Sequence, residues 1–206
     1  MIMGRLNRFN KISPYYDKLV KIVFGNAIER AQLDLLSNVR NEDSILVLGG
    51  GSGWWLNYLT KTNPGCSIDF VEASDRMIEL ASMRAKGHRQ IQFVHGTELN
   101  IPEKKYDVII LFFFLDMFDA VGITTLLRNL QKHARENARL LVVEFVHEAF
   151  WHKILLVMMY SFFRLIGAID NRKLAPWQQI IFESGISEKN AKLYYGDFIK
   201  GCVYTM

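Results

Sequence analysis

Short apolar runs alternate with amphipathic segments through the middle of the chain. The apolar runs have the length and composition of strands that are buried in a sheet. These predicted strands are Ser44–Leu48, Ser67–Val71, Ile91–His95, Tyr106–Phe113 and Arg139–Phe145. Helical spacing is found between them, at Gly53–Lys61, from Ser74 onward and at Thr124–Arg135. Strands that alternate with helices predict a parallel sheet built from right-handed crossovers.

The two ends of the sequence depart from this alternation. Two β-rich runs, Ala191–Tyr195 and Phe198–Tyr204, are joined by Gly196-Asp197, which is typical of an antiparallel hairpin. Tyr15–Phe24 and Ala27–Leu36 have the spacing of helices. We therefore predict an α/β fold with a Rossmann-like, doubly wound, mostly parallel sheet of about seven strands, a C-terminal antiparallel hairpin and extra N-terminal helices.

Composition and charge exclude several classes of function. Half of the 206 residues are hydrophobic and 22% are charged, which is typical of an ordinary globular protein. Cys66 and Cys202 form no CxxC pair, so neither a disulfide scaffold nor a cysteine-based zinc site is expected. The histidine spacing also predicts no metal. A net charge of +4 is a mild excess, and we expect no nucleic-acid partner.

Two segments of the sequence indicate where in the cell the protein is expected to be located. Met1–Ile12 mixes basic and polar residues with isolated apolar ones, unlike a signal peptide, so a reduced, cytoplasmic location is expected. The segment Phe150–Ile166 has a core of ten apolar residues, Ile154–Phe163, whereas a membrane span needs about 20. Three interpretations of this segment stay open: packing in the core, a lid over an apolar substrate, or peripheral contact with a membrane.

A glycine-rich loop follows the first strand. Gly49, Gly51 and Gly53 have the spacing G-x-G-x-G, and such a loop between a buried strand and a helix places backbone N–H groups beside a ligand. A dinucleotide fingerprint would need a third glycine at position 54, which is Trp54. An oxidoreductase with a nucleotide cofactor is therefore disfavoured.

An acidic residue ends the second predicted strand. Glu72 stands where a carboxylate accepts hydrogen bonds from the hydroxyls of an adenosine ribose. The alternative is a solvated carboxylate at the start of the helix that Ser74 caps. The glycine loop before it makes ribose binding the preferred interpretation.

These motifs resemble those of the class I S-adenosylmethionine-dependent methyltransferases, over nearly the whole chain. The matching segments are Leu46–Gly53, Val71–Ser74, Gly96–Glu98, Tyr106–Ile110 and Ala138–Glu144. Within the class, the sequence is most similar to the ubiquinone and menaquinone C-methyltransferases. That likeness comes from Tyr15–Leu19, Phe24-Gly25, Leu141–Phe145 and the closing hairpin.

The resemblance implies a cofactor, an activity and an acceptor. The cofactor is S-adenosyl-L-methionine, and the activity is in-line SN2 transfer of its methyl group to a small hydrophobic or aromatic acceptor, quinone-like or lipid-like. A non-catalytic cofactor-binding or assembly factor on the same fold is the alternative. The implied cofactor contacts are Tyr16, Gly49, Gly51, Gly53, Glu72, Thr97, Glu98, Leu111 and Phe112.

The chain is interpreted as a single methyltransferase domain, 1–206, because no linker or repeat divides it. Its expected parts follow in chain order. They are an N-terminal helical cap (1–40), a cofactor-binding core (41–146), substrate-side helices (147–186) and the closing hairpin (187–206).

A hydroxyl or ring-carbon acceptor benefits from a general base. Three candidates follow the fourth and fifth strands, namely Asp116, Glu144 and His147. Each has an ordinary alternative. Asp116 could cap the helix that begins near Asp119, Glu144 could pair with a surface base, and His147 could be a loop histidine.

Overall fold

A computed structural model describes residues 21, 23–146, 149–165 and 174–206, with side chains described up to Val157 in the long helix. Seven strands and six helices alternate through most of this part of the chain. The strands are β1 (Ser44–Leu48), β2 (Ser67–Glu72), β3 (Ile91–His95), β4 (Tyr106–Phe112), β5 (Ala134–Phe145), β6 (Ser187–Tyr194) and β7 (Ile199–Thr205). The helices are α1 (Ala27–Leu36), α2 (Leu56–Thr62), α3 (Asp75–Arg84), α4 (Ala120–His133), α5 (Phe150–Leu165) and α6 (Trp177–Glu183).

All seven strands form one sheet in the order β3-β2-β1-β4-β5-β7-β6. Strands β1 to β5 are parallel, and β7 lies antiparallel between β5 and β6. From β1 the chain first adds strands on one side of the sheet (β2, β3) and then on the other (β4, β5). Ligands of open α/β sheets bind at such a point, outside the carboxyl ends of the strands. The predicted Rossmann-like fold and its closing hairpin are confirmed.

Both faces of the sheet are covered, which explains the continuous apolar runs. Ile45 and Val47 face one core with the buried side chains of α1, α2 and α3, whereas Leu46 and Leu48 face a second core. The second core is covered by α4 and α6. A strand buried on both faces needs apolar residues at every position rather than at alternate ones.

Several element boundaries differ from the sequence-based expectations. Strand β5 begins at Ala134, because Tyr106 of β4 pairs with Ala134 before a register shift. Helix α4 begins at Ala120, since the Asp119 side chain accepts a hydrogen bond from the Gly122 N–H at 2.8 Å. The interpretation of Asp116 as the cap of this helix is therefore wrong.

The N-terminal and long-helix predictions have different outcomes. The helix predicted at Tyr15–Phe24 lies mostly outside the described residues, whereas the apolar segment Phe150–Ile166 contains α5. Helix α6 lies within the range 147–186 where helices are expected, although no sequence pattern defined its bounds, and the 3₁₀ turn Leu115–Met117 was not predicted. Among the described residues, no helix is both long and apolar enough to cross a membrane.

Candidate functional site

The glycine loop lies at the carboxyl edge of the sheet, directly after β1. Gly49, Gly51 and Gly53 have φ of +63°, +59° and +59°, in the left-handed region that side chains disfavour. Apart from its two neighbours in the chain, no described residue has an atom within 4 Å of a Cβ built on Gly51. The main chain at Gly51 therefore borders open space, as a close approach of a ligand requires.

The other two glycines of the motif are closed off by the protein itself. A Cβ on Gly49 would lie 2.4 Å from Cδ2 of Phe114, and one on Gly53 would lie 2.6 Å from Leu56 Cδ1. The three positions of the motif therefore have different physical requirements. Gly49 and Gly53 allow the loop to fold against its neighbours, and Gly51 is the position that leaves room for a ligand.

The two tryptophans after the loop do not fill this space. Trp55 is fully buried and packs against Phe70 and Phe112, with ring centroids 6.5 and 5.6 Å away. Trp54 donates a hydrogen bond from Nε1 to Gln32 Oε1 on α1, at 2.8 Å. Both indoles are therefore directed into the packing of helices against the sheet.

Glu72 ends β2 beside the glycine loop and contacts it directly. Its Oε2 accepts a hydrogen bond from the Gly51 N–H at 3.0 Å, and its Oε1 accepts one from the Ser74 N–H at 2.9 Å. Burial raises the pKa of the Glu72 carboxyl, and these N–H donors oppose the shift. The half-buried carboxylate therefore joins the start of α3 to the glycine loop, and its contact with a ribose stays a prediction.

The predicted adenine contacts follow β3, next to Glu72. The Gly96 N–H donates to the backbone oxygen of Glu72 at 3.0 Å, which holds this turn against the end of β2. Thr97 and Glu98 are half-buried, and the Thr97 N–H donates to Asn100 Oδ1 at 3.0 Å. The fold thus brings Gly51, Glu72 and the Thr97-Glu98 turn to one edge of the sheet.

The predicted contacts at the end of β4 lie deeper than the sequence suggested. The side chains of Leu111 and Phe112 are buried in opposite cores, so only their main-chain atoms can face a ligand. Phe113, by contrast, is half-buried and has a φ of +53°. Backbone strain of this kind is concentrated at ligand sites, and no residue pattern in the chain predicts it here.

Arg84 is a further residue that the sequence did not single out. Its Nη1 donates to Ser52 Oγ at 2.6 Å and to the Ser52 backbone oxygen at 3.0 Å. Arg84 ends α3 and Ser52 lies within the glycine loop, so this contact ties the loop to the helix that follows β2. A pair separated by 32 positions leaves no local pattern that could predict it.

Two of the candidate catalytic residues form a buried carboxyl pair. Glu144, 0% exposed, accepts hydrogen bonds at Oε2 from the N–H groups of Leu115 and Asp116, at 3.0 and 3.3 Å. Its Oε1 accepts from the Phe145 N–H at 2.9 Å, and because the carboxyl is buried, the alternative of pairing with a surface base is wrong. Burial raises the pKa of Asp116 to about 7, and burial together with the charge of Asp116 raises the pKa of Glu144.

The remaining candidates are not tested. Tyr16 and His147 lie outside the described residues, so their roles stay predictions. In the part of the chain that the structure describes, no group of three histidine, cysteine or acidic side chains could hold a metal ion. The site assembled by the fold therefore consists of the glycine loop, the ends of β2 and β3, and the turn after β4.

Part of this chain is similar to known methyltransferases. Residues 46–140, which include the glycine loop and Glu72, match a methyltransferase domain family. The malonyl-[acyl-carrier protein] O-methyltransferase of Halalkalibacterium halodurans is 29% identical over 139 residues, which is 63% of this chain and 48% of that protein. The demethylmenaquinone methyltransferase of Tropheryma whipplei is 26% identical over 142 residues, which is 68% of this chain and 58% of that protein. This chain thus spans about half the length of these relatives.

Among solved structures, the fold is similar to that of a SAM-dependent methyltransferase from Aquifex aeolicus. The TM-score is 0.65 at 16% identity, and the alignment covers 95% of this chain and 97% of the other. The domain match supports the expected family, and the likeness to this structure shows a shared fold. Residues 46–140, which hold the glycine loop and Glu72, are thus similar to a methyltransferase domain, in agreement with the resemblance to the class I S-adenosylmethionine-dependent methyltransferases.

Proposed function

We propose that this chain transfers the methyl group of S-adenosylmethionine to a small apolar acceptor. The observation that carries the proposal is the pairing of Gly51 with Glu72. Gly51 has a positive φ and open space on its ligand side, and its N–H lies 3.0 Å from the Glu72 carboxylate. A main chain that no side chain covers lies here beside a carboxylate, at the point between β1 and β4 where the strand order reverses. This arrangement is typical of sites that bind an adenosyl ligand.

The residues at this edge fit the cofactor group by group. The Glu72 carboxylate would accept hydrogen bonds from the ribose hydroxyls, and Gly51 would leave room for the neighbouring part of the molecule. The half-buried Thr97 and Glu98 would face the adenine, because the Gly96 N–H holds their turn against β2. Tyr16 is proposed to lie over the cofactor, by the family resemblance of its segment.

When bound, the sulfonium supplies an activated methyl group. The work left to the protein is to orient the acceptor for in-line attack and to exclude water, which contributes about 7–11 kcal/mol in favourable cases. The Phe113 ring, half-buried after β4 and 4.7 Å from the Phe145 ring, provides an aromatic surface for an apolar acceptor. Asp116 follows Phe113 and Phe114 in the turn after β4, and Glu144 of β5 contacts the backbone of that turn.

The two carboxyls are proposed to have different roles. The described hydrogen bonds of Glu144 all go to backbone N–H groups, so it positions the turn Leu115–Met117 and does not act as a base. Asp116, with a pKa raised to about 7, is poised to accept a proton from a hydroxyl acceptor near neutral pH. His147 is the second candidate for that role.

The non-catalytic alternative is not favoured. The matched domain family and both curated relatives carry the name methyltransferase, and one of the relatives is named as an O-methyltransferase. A hydroxyl or carboxyl oxygen is therefore a reasonable nucleophile for this chain as well, and a quinone-like acceptor is suggested by the other relative.

The proposal is tested with methyl-labelled cofactor, purified protein and extracts of apolar small molecules. We expect cofactor binding by calorimetry and transfer of label to an organic-soluble product. Both should be lost or strongly reduced in Glu72→Gln and retained in Glu79→Gln, an exposed glutamate of α3. Absence of cofactor binding would refute the proposal. Tight binding without transfer to any extract would instead support the non-catalytic alternative.

A further inference from the structure

One face of helix α3 lies against the glycine loop. Met77 and Ala81 are buried on this face, and Ala85 continues it directly after the helix. A Cβ built on Gly53 would lie 2.8 Å from the Ala81 Cβ, so helix and loop touch at this point. Arg84 is three positions after Ala81, and residues with this spacing are neighbours on a helix surface. The last residue of α3 is therefore a cation beside the loop.

Arg84 reaches the loop from the far end of the helix. Side chains of an α-helix lean toward its N-terminus, which for α3 is the end beside Glu72 and the carboxyl edge of the sheet. The guanidinium thus extends back toward the loop, where Nη1 donates to Ser52 Oγ at 2.6 Å and to the Ser52 backbone oxygen at 3.0 Å. Ser52 is 5% exposed, so a charged donor satisfies two acceptors of a buried residue.

Three consecutive residues of the loop are held by β2 and α3. The Gly51 N–H donates to Glu72 at the end of β2, Ser52 accepts from Arg84, and Gly53 lies against the middle of α3. Gly51 borders the open space proposed for the cofactor, whereas Gly53 is packed against the helix. Ser52 joins the ligand side of the loop to its packed side.

The loop depends on such contacts for its order. Four of the five residues 49–53 are glycines, and Ser52 is the one among them that has a side chain. Glycine gains more conformational freedom than any other residue when its backbone is released. Gly51 and Gly53 also adopt φ of +59°, on either side of Ser52. A loop that has to be ordered at the moment of binding loses ligand affinity, because the lost freedom opposes association.

We propose that Arg84 is a positioning residue of the cofactor site. It acts through Ser52, and it keeps the main chain of Gly51 in the conformation that S-adenosylmethionine binds. This inference rests on the proposed function and adds to it a residue that needs no contact with the cofactor. Two other roles have to be separated from it by experiment, namely a general contribution to stability and a long-range effect of the positive charge.

The first measurement is hydrogen exchange of the ligand-free chain, followed by mass spectrometry. Arg84→Met removes both hydrogen bonds and keeps an unbranched side chain, so residues 49–53 should exchange about tenfold faster. Strand β5, whose central residues are buried, is the internal reference and should exchange as in the wild type. The matched control is Arg89→Met, because Arg89 is also exposed and its replacement changes the net charge equally.

The second measurement is calorimetric titration with S-adenosylmethionine. The dissociation constant should rise by about tenfold in Arg84→Met and stay unchanged in Arg89→Met. Arg84→Lys keeps the charge and a donor, and its affinity should lie between those of the wild type and Arg84→Met. Ser52→Ala removes one of the two acceptors, so Arg84→Met should have a smaller effect in a Ser52→Ala chain. A direct contact gives this non-additivity, and a general loss of stability does not.

The outcomes separate this inference from the proposed function. Normal binding by the wild type with an unchanged affinity in Arg84→Met would overturn the inference alone. Faster loop exchange without a loss of affinity would also overturn it, since the order of the loop would not matter for binding. So would faster exchange throughout β5, or an equal loss of affinity in Arg89→Met. Failure of the wild type to bind S-adenosylmethionine would instead refute the proposed function, and the role of Arg84 in binding with it.

Discussion

Replacing Gly51 by alanine separates the ligand role of the glycine loop from its folding role. Gly51 has φ +59° with open space around its Cβ direction, and Gly185, after α6, has φ +75° with equally open space. An alanine at either position adopts a left-handed backbone, so each variant should lose about 1 kcal/mol of unfolding free energy. The pair is therefore matched in backbone strain.

The two variants should differ in cofactor affinity. The alanine keeps the Gly51 N–H that donates to Glu72, so the only change on the ligand side is one methyl group. Overpacking of one methyl into a filled site costs about 1–3 kcal/mol. At 1.4 kcal/mol for each tenfold, the dissociation constant for S-adenosylmethionine should rise by about 5- to 150-fold. Gly185→Ala lies at the opposite edge of the sheet and should bind as the wild type does.

Isothermal titration calorimetry gives the dissociation constants, and denaturant unfolding gives the stabilities. An unchanged affinity in Gly51→Ala would show that the open space beside this glycine is not where the cofactor lies. An equal loss of affinity in Gly185→Ala would show that destabilisation alone explains the effect. Either result refutes the assignment of Gly51.

Further predictions concern the acidic residues. Glu72→Gln should weaken cofactor binding by about 1–3 kcal/mol, measured by calorimetry, because a neutral amide replaces a charge-assisted acceptor; an unchanged value contradicts the ribose role. Burial raises the folded-state pKa of Asp116 and Glu144, so the folded state keeps protons that the unfolded chain releases. The free energy of unfolding should therefore fall as pH rises from 5 to 8, by a smaller amount in Asp116→Asn. Asp119→Ala should cost about 1 kcal/mol of stability through lost capping, with cofactor affinity unchanged in the same titration.

The sequence predicted the sheet well because its signals are local. A strand such as β1 is buried on both faces and has apolar residues throughout, and the glycines after it mark the turn by composition alone. The position of Glu72 at the end of β2 is predicted in the same way, because it directly follows an apolar run. Boundaries were less accurate where a long-range contact decides them, as at Ala134, which is drawn into β5 by pairing with β4.

The carboxyl pair shows why the rest of the site could not be predicted. Asp116 and Glu144 are 28 positions apart, and only the folded sheet brings the turn after β4 onto the end of β5. From the sequence, Asp116 could be interpreted as a general base or as the N-cap of α4. In the structure, Asp119 is the N-cap of that helix. The burial that raises both pKa values is likewise a property of the assembled layers. No residue pattern along the chain encodes it.

The place of β7 in the sheet has a consequence for how the molecule assembles. Among the described strands, β6 pairs with β7 alone, yet β6 precedes β7 in the chain. During synthesis, β6 therefore leaves the ribosome before β7, the strand with which it pairs, has been made. It stays unpaired until β7 has been made, and the hairpin that the two strands form then joins the sheet through β5, more than 50 residues away in sequence. The order of these two strands in the chain is thus opposite to their order outward from β5 in the sheet.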